Sequence, residues 1–239
     1  MALGLGITTE LLEKPILWTP KEQGLGQYLE IWLEGGVDMT SAGWLDQSGQ
    51  GNDARQTISG SQPDVNLAHP PNLRFDGFND YMDFTSRLLI SQNEPFSICI
   101  AFKPESVLTR AFLSDAASEF MEMMTAKKFR FKGNVGGGLA STLQFDNVIF
   151  TNGAFHAMIF ARDASNNLHL HINSSTGIEP NASSTNTQND RGFDIFNLGT
   201  RNDSDKFFYG DMYEVFVYNK FLTEPERKNA ISYLKHKFS

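Results

Sequence analysis

Phe96, Ile98, Ile100 and Phe102 alternate with Ser97, Cys99, Ala101 and Lys103, a period of two that puts four large apolar side chains on one face of an extended segment. The same period returns at Phe129 and Phe131 between Lys128, Arg130 and Lys132, and at Leu168, Leu170 and Ile172 around His169 and His171. Phe155 to Ala161 is apolar on both faces, as a strand inside a layered sheet structure requires. Tyr28 to Leu33 ends at Gly35-Gly36, and Phe207 to Tyr218 is the longest β-prone run, with Gly210 as a bulge position. Apolar faces of this kind must be buried against another layer, a second sheet or a helix.

One helix is predicted. Thr223 and Glu226 have capping-box spacing, and Ala230, Ile231, Leu234 and Phe238 form one apolar stripe at helical intervals. The pattern as a whole predicts an all-β antiparallel sandwich of jelly-roll type with one short C-terminal helix. The polar stretch from Ser174 to Asp190 has no apolar periodicity and reads as a surface loop.

A chain of 239 residues suits one large sandwich domain, here residues 27–239, preceded by an N-terminal arm over residues 1–26. The net charge of -8, from 28 acidic and 20 basic residues, argues against a nucleic-acid partner, which needs a basic surface. A lone Cys99 excludes an intrachain disulfide framework and a thiolate zinc cluster. No segment approaches the roughly 20 apolar residues of a membrane span, and no membrane partner is expected. Met1 to Ile7 lacks the basic region, long apolar run and cleavage site of a signal peptide, so synthesis as a soluble cytosolic chain that does not use the general secretion route is expected.

The motifs form an ordered series: YLEIWLEGG at 28–36, GWLDQSGQGNDARQ at 43–56, LRFDGFNDYMDF at 73–84, FSICIAFKP at 96–104, LHLHINS at 168–174, FNLGTRN at 196–202, and the run from Phe207 to Phe238. Their order and spacing resemble the concanavalin A-like, laminin G-type jelly-roll domains, especially those of bacterial surface proteins and tailed-bacteriophage virions. The resemblance covers residues 28–238. It implies the sandwich fold, and it leaves lectin, glycosidase, adhesion and architectural roles open.

Within 44–56, Asp46, Ser48 and Asp53 offer hard oxygen donors, and calcium, which the wider family sometimes binds, is one reading. The other is a structural turn, with Asp46 and Ser48 accepting backbone N–H groups around Gly49. Asp76-Gly77 and Asn79-Asp80 read as turn chemistry, as do Asp203, Asp205 and Asp211. Asp211 and Glu214 lie three apart, which on a regular strand places them on opposite faces, unlike the same-face acidic motif that the resemblance implies for glycosidases. Glu214 is expected to anchor a neighbouring segment. His169 and His171 share a strand face but have no third ligand, so a solvated face is expected. No catalytic residue and no cofactor is assigned.

The arm carries Leu3, Leu5, Ile7, Leu11, Leu12, Ile16 and Trp18, too interrupted by Gly and Pro to bury itself; it either pads the sandwich or lies on another subunit, and these residues are assigned to the second. The first reading is a non-enzymatic virion structural protein of a tailed bacteriophage, a capsid decoration or cement module. Its partners would be capsid or other virion proteins and copies of itself, and its location the virion. The alternative is a carbohydrate-binding module for host-surface glycans, with glycoside hydrolysis as a third.

Overall fold

The computed structural model describes residues 18–116, 119–133, 142–174, 192–202 and 205–238. The loop expected at 174–190, all but its first residue, and the arm residues Leu3, Leu5, Ile7, Leu11, Leu12 and Ile16 lie outside the described residues.

Among the described residues, sixteen strands make two antiparallel sheets, and one α-helix follows them. In chain order the strands are β1 (Leu29–Leu33), β2 (Met39–Thr40), β3 (Gly43–Trp44), β4 (Ala54–Arg55), β5 (Asp64–Asn66), β6 (Asn72–Asp76), β7 (Met82–Ile90) and β8 (Phe96–Pro104). They continue as β9 (Arg110–Ala116), β10 (Glu119–Thr125), β11 (Lys128–Lys132), β12 (Leu143–Asp146), β13 (His156–Arg162), β14 (Leu168–Ile172), β15 (Phe193–Leu198) and β16 (Tyr209–Tyr218), and α1 spans Glu224–Phe238. The seven-stranded sheet runs β14-β13-β8-β16-β6-β5, with β1 also on β16, and the nine-stranded sheet runs β12-β11-β10-β9-β15-β7-β4-β3-β2. This is the expected antiparallel sandwich with one C-terminal helix.

The alternations sort themselves as the period of two requires. Phe96, Ile98, Ile100 and Phe102 of β8 face Phe112, Phe129, Phe131, Phe145 and Phe193 of the opposing sheet in one inter-sheet core. Phe160 sits within 4.8 Å to 6.0 Å, ring centre to ring centre, of Phe131, Phe129, Phe96 and Phe145. Such edge-on and tilted contacts add to the area effect that dominates core stability.

The other face of the seven-stranded sheet is also apolar, and α1 covers it. Cys99, Ala101, Ala157, Ile159, Phe216 and Tyr218 pack against Ala230, Ile231, Tyr233, Leu234 and Phe238. The helix starts where the capping box predicts: Glu226 Oε2 accepts from Thr223 N at 2.7 Å, and Arg227 N donates to Thr223 O. Trp18, assigned from sequence to another subunit, instead lies over its own sheet, 6.3 Å from the Phe216 ring and 5.6 Å from Tyr233. Tyr218 OH donates to Pro20 O at 2.9 Å, so residues 18–28 are tied to the same face as α1.

The Asp76-Gly77 turn hands the chain from β6, in one sheet, to β7, in the other, and does not form a hairpin. Asp76 Oδ1 accepts from the backbone N of Phe78, Asn79 and Asp80, and Gly77 takes φ +77°, where a side chain would meet Tyr209.

Candidate functional site

The nine-stranded sheet has the opposite arrangement from its partner. Among the described residues no helix packs on its outer face, and that face mixes charged side chains with the rings of Phe120 and Phe196. Backbone register places Asp83 of β7 opposite Asn197 of β15, Asn197 opposite Ser114 of β9, Ser114 opposite Phe120 of β10, and Phe120 opposite Lys132 of β11. Five strands therefore contribute a carboxylate, an amide, a hydroxyl, an aromatic ring and an ammonium to one transverse row, in which Asn197, Ser114 and Phe120 are buried and Asp83 and Lys132 are half-buried. Asn197 Nδ2 donates to Asp83 Oδ1 at 2.8 Å, and Ser114 Oγ donates to Thr200 O at 2.9 Å. Burial raises the Asp83 carboxyl above its ordinary range, opposed by the Asn197 amide.

Two guanidinium groups lie over the Phe120 ring, Arg201 at 5.1 Å and Arg130 at 5.9 Å from its centre. Glu122, fully buried, pairs with Arg130 and lies 3.9 Å from Arg201. Burial pushes its carboxyl up and the two arginines pull it down; the upward effect is larger. Arg201 also makes a two-pronged ion pair with Asp205, at 3.1 Å and 2.9 Å.

Asp115, Glu119 and Asp194 present oxygens that all lie within 4.8 Å of one another. Converging carboxylates are the arrangement that glycoside hydrolysis or a metal would use. Here one oxygen of Asp115 and one of Glu119 are engaged within the protein. Asp115 Oδ1 lies 2.7 Å from Arg87 Nε, an ion pair without hydrogen-bond alignment, and Glu119 Oε2 accepts from Asp194 N at 3.0 Å. Burial first, and then the neighbouring negative charges, raise Glu119 and Asp194. Arg87 lies over the Phe196 ring at 5.6 Å, extending the polar and aromatic surface toward β7.

The residues singled out by sequence lie elsewhere. Asp46 caps a loop: its Oδ1 accepts from Trp32 N and Ser48 N, both at 2.8 Å, and its Oδ2 from Ser48 Oγ at 2.6 Å and Asn52 N at 3.0 Å. Asp53 Oδ1 accepts from Asp46 N at 2.9 Å, and its Oδ2 pairs with Arg55. Four donors saturate Asp46, an arrangement that serves turn formation and leaves its lone pairs turned away from a cation.

Asp211 is no turn residue. It lies in β16 and is paired with Arg74 and Lys103, each at 3.0 Å. A bulge between Met212 and Glu214 advances the register by one, so Asp211 and Glu214 share the outer face of the seven-stranded sheet, contrary to the regular-strand expectation. Glu214 lies beneath α1, where it anchors that helix. The two histidines are not on a solvated face either: His171 is buried, His169 packs 5.2 Å from Phe221, and its Nε2 meets Asp163 Oδ2 at 3.1 Å.

Residues 75–226 match the family model described as the concanavalin A-like lectin/glucanases superfamily. The chain belongs to this superfamily. Its fold is similar to that of the binding domain of Paraclostridial Mosquitocidal Protein 1, with TM-score 0.64 at 12% identity over 88% of this chain and 53% of that one. The botulinum neurotoxin DC binding domain, solved in complex with SialylT, gives TM-score 0.59 at 11% identity over 87% and 52%. A botulinum neurotoxin type C structure, reported with cell entry dependent on two ganglioside molecules, gives 0.57 at 12% over 87% and 52%. The chain spans about half the length of these structures. No curated protein matches it.

Proposed function

We propose that the chain is a non-catalytic carbohydrate-binding module of the concanavalin A-like superfamily, and that it binds through the outer face of its nine-stranded sheet. The observation that carries this reading is the transverse row on the face that α1 leaves uncovered, in which the buried Asn197, Ser114 and Phe120 form a fixed base and Asp83 and Lys132 are the members that reach solvent. Sugars are recognised by hydrogen-bonding groups held rigidly beside aromatic rings, and strands hold such groups more rigidly than loops do. Support also comes from two folds it is similar to, one solved in complex with SialylT and one from a toxin whose cell entry depends on interaction with two ganglioside molecules.

The converging acids do not favour hydrolysis, because Asp115 and Glu119 are committed to Arg87 and to the β15 backbone. A glycan microarray probed with the whole chain tests the proposal. Binding to a defined set of glycans, with no reducing ends released on prolonged incubation, is the expected result. Release of reducing ends would overturn the non-catalytic part.

A second reading, a virion structural module held by contacts with neighbouring proteins, is favoured by large apolar side chains left in solvent: Phe78, Ile149, Leu67 and Ile58 are 79%, 71%, 65% and 58% exposed. Its test is incorporation of the chain, with and without residues 1–17, into particles assembled from the proteins encoded beside it. Equal incorporation of both forms would remove the arm from the assembly role.

A further inference from the structure

Lys128, Arg130 and Lys132 stand at i, i+2 and i+4 of β11, all opposite the core-facing Phe129 and Phe131. A strand repeats its facing every two residues, so the three cations form a comb with a spacing of about 6.5 Å. In a chain of net charge -8 this is a local reversal of sign. Anions only partly answer it. Lys128 meets Asp146 at 3.7 Å and is 41% exposed, Arg130 is paired to the buried Glu122 through Nη2, and Lys132 has no ion-pair partner among the described residues. Arg201 and Lys206 extend the positive surface from the turn that pairs with Asp205.

Charges at regular spacing along a strand suit a linear ligand that carries anions at regular intervals. A lone phosphate or sulfate would use one tooth of the comb. A polymer of alternating acidic sugars would use all three, and would cross the Lys132 end of the transverse row. We infer that the β11 comb is a subsite for an anionic glycan, a chain bearing sulfate or uronate groups, docking on Lys128, Arg130 and Lys132. This rests on the proposed carbohydrate-binding face and specifies its ligand class.

The test uses the whole chain and the double variant Lys128→Gln/Lys132→Gln, which leaves the Arg130 pair intact. Affinities are measured by calorimetry for heparin oligosaccharides, the same oligosaccharides chemically desulfated and carboxyl-reduced, a neutral glycan panel and inorganic polyphosphate. The expected result is heparin binding that weakens with salt and drops about tenfold in the variant, from the loss of two half-buried charge contacts. Its melting temperature should stay unchanged.

Equal affinity for the stripped oligosaccharides, unaltered heparin affinity in the variant, or polyphosphate binding as tight as heparin would each overturn the comb as a glycan subsite. Binding confined to neutral glycans would overturn this inference and leave the proposed function standing. No binding to any glycan would remove both.

Discussion

Glu214 Oε1 accepts hydrogen bonds from Trp32 Nε1 and Tyr233 OH, both at 2.8 Å, and so ties β1 and α1 to the centre of β16. Its other oxygen receives Lys237 Nζ at 2.7 Å, and Lys237 also reaches Glu34 at 3.0 Å. Burial raises the Glu214 carboxyl, against the pull of Lys237, Trp32 and Tyr233. A buried acid with three donors is costly to lose, because its partners are then left unpaired. Glu214→Ala is expected to destabilise the fold by about 3–5 kcal/mol and to release α1 first. Urea unfolding followed by both far-UV circular dichroism and tryptophan fluorescence, with hydrogen exchange of residues 224–238, measures both effects. Unchanged protection of the helix would contradict the anchoring role.

Asp46 holds the 46–53 loop with four accepted hydrogen bonds. Asp46→Ala is expected to cost about 3 kcal/mol, since several charge-assisted bonds to backbone N–H groups are lost together. Asp46→Asn should retain part of that, through a single acceptor oxygen. Calcium titration followed by thermal melting is expected to leave the midpoint where it was; a rise of several degrees would restore the metal reading of Asp46, Ser48 and Asp53.

Asp80 gives a pH signature. Burial, with the nearby charges of Asp76 and Asp64, raises its carboxyl to about 6 from an ordinary 3.8, against a hydrogen bond from Asp76 N. A folded-state value above the unfolded one means the native state binds the proton more tightly. The contribution to stability is therefore fully present below pH 3.8 and is lost as pH rises through about 6. Carboxyl carbon NMR should show Asp80 titrating near 6. In Asp80→Asn the slope of stability between pH 4 and 6 should flatten. A midpoint near 4 would show the carboxyl to be solvated.

Much of the fold was legible because side-chain alternation reports burial directly. Phe96 to Lys103 and Leu168 to Ile172 read as strands and are strands, and the helix begins at the Thr223 and Glu226 signal. What escaped depends on register. Nothing in the order Asp211, Met212, Tyr213, Glu214 announces the bulge that brings the two acids onto one face. Trp18 reads as an exposed arm residue until Phe216 and Tyr233, some 200 residues later, supply its surface.

The candidate site was the least legible part. Asp83, Ser114, Phe120, Lys132 and Asn197 are scattered over more than 100 residues, and only the pairing of β7, β15, β9, β10 and β11 lines them up. The cations at 128, 130 and 132 did have a local signal, the alternation with Phe129 and Phe131. That signal gives their shared face but not what surrounds them.

The most direct measurement of the central claim is backbone amide chemical-shift mapping of the labelled chain titrated with the strongest binder from the glycan array. The shifts are expected to cluster on the outer face of β7, β9, β10, β11 and β15, around Asp83, Phe120, Arg130 and Lys132. Shifts confined to the α1 side of the seven-stranded sheet or to the 46–53 loop, or an array without a single binder, would contradict it.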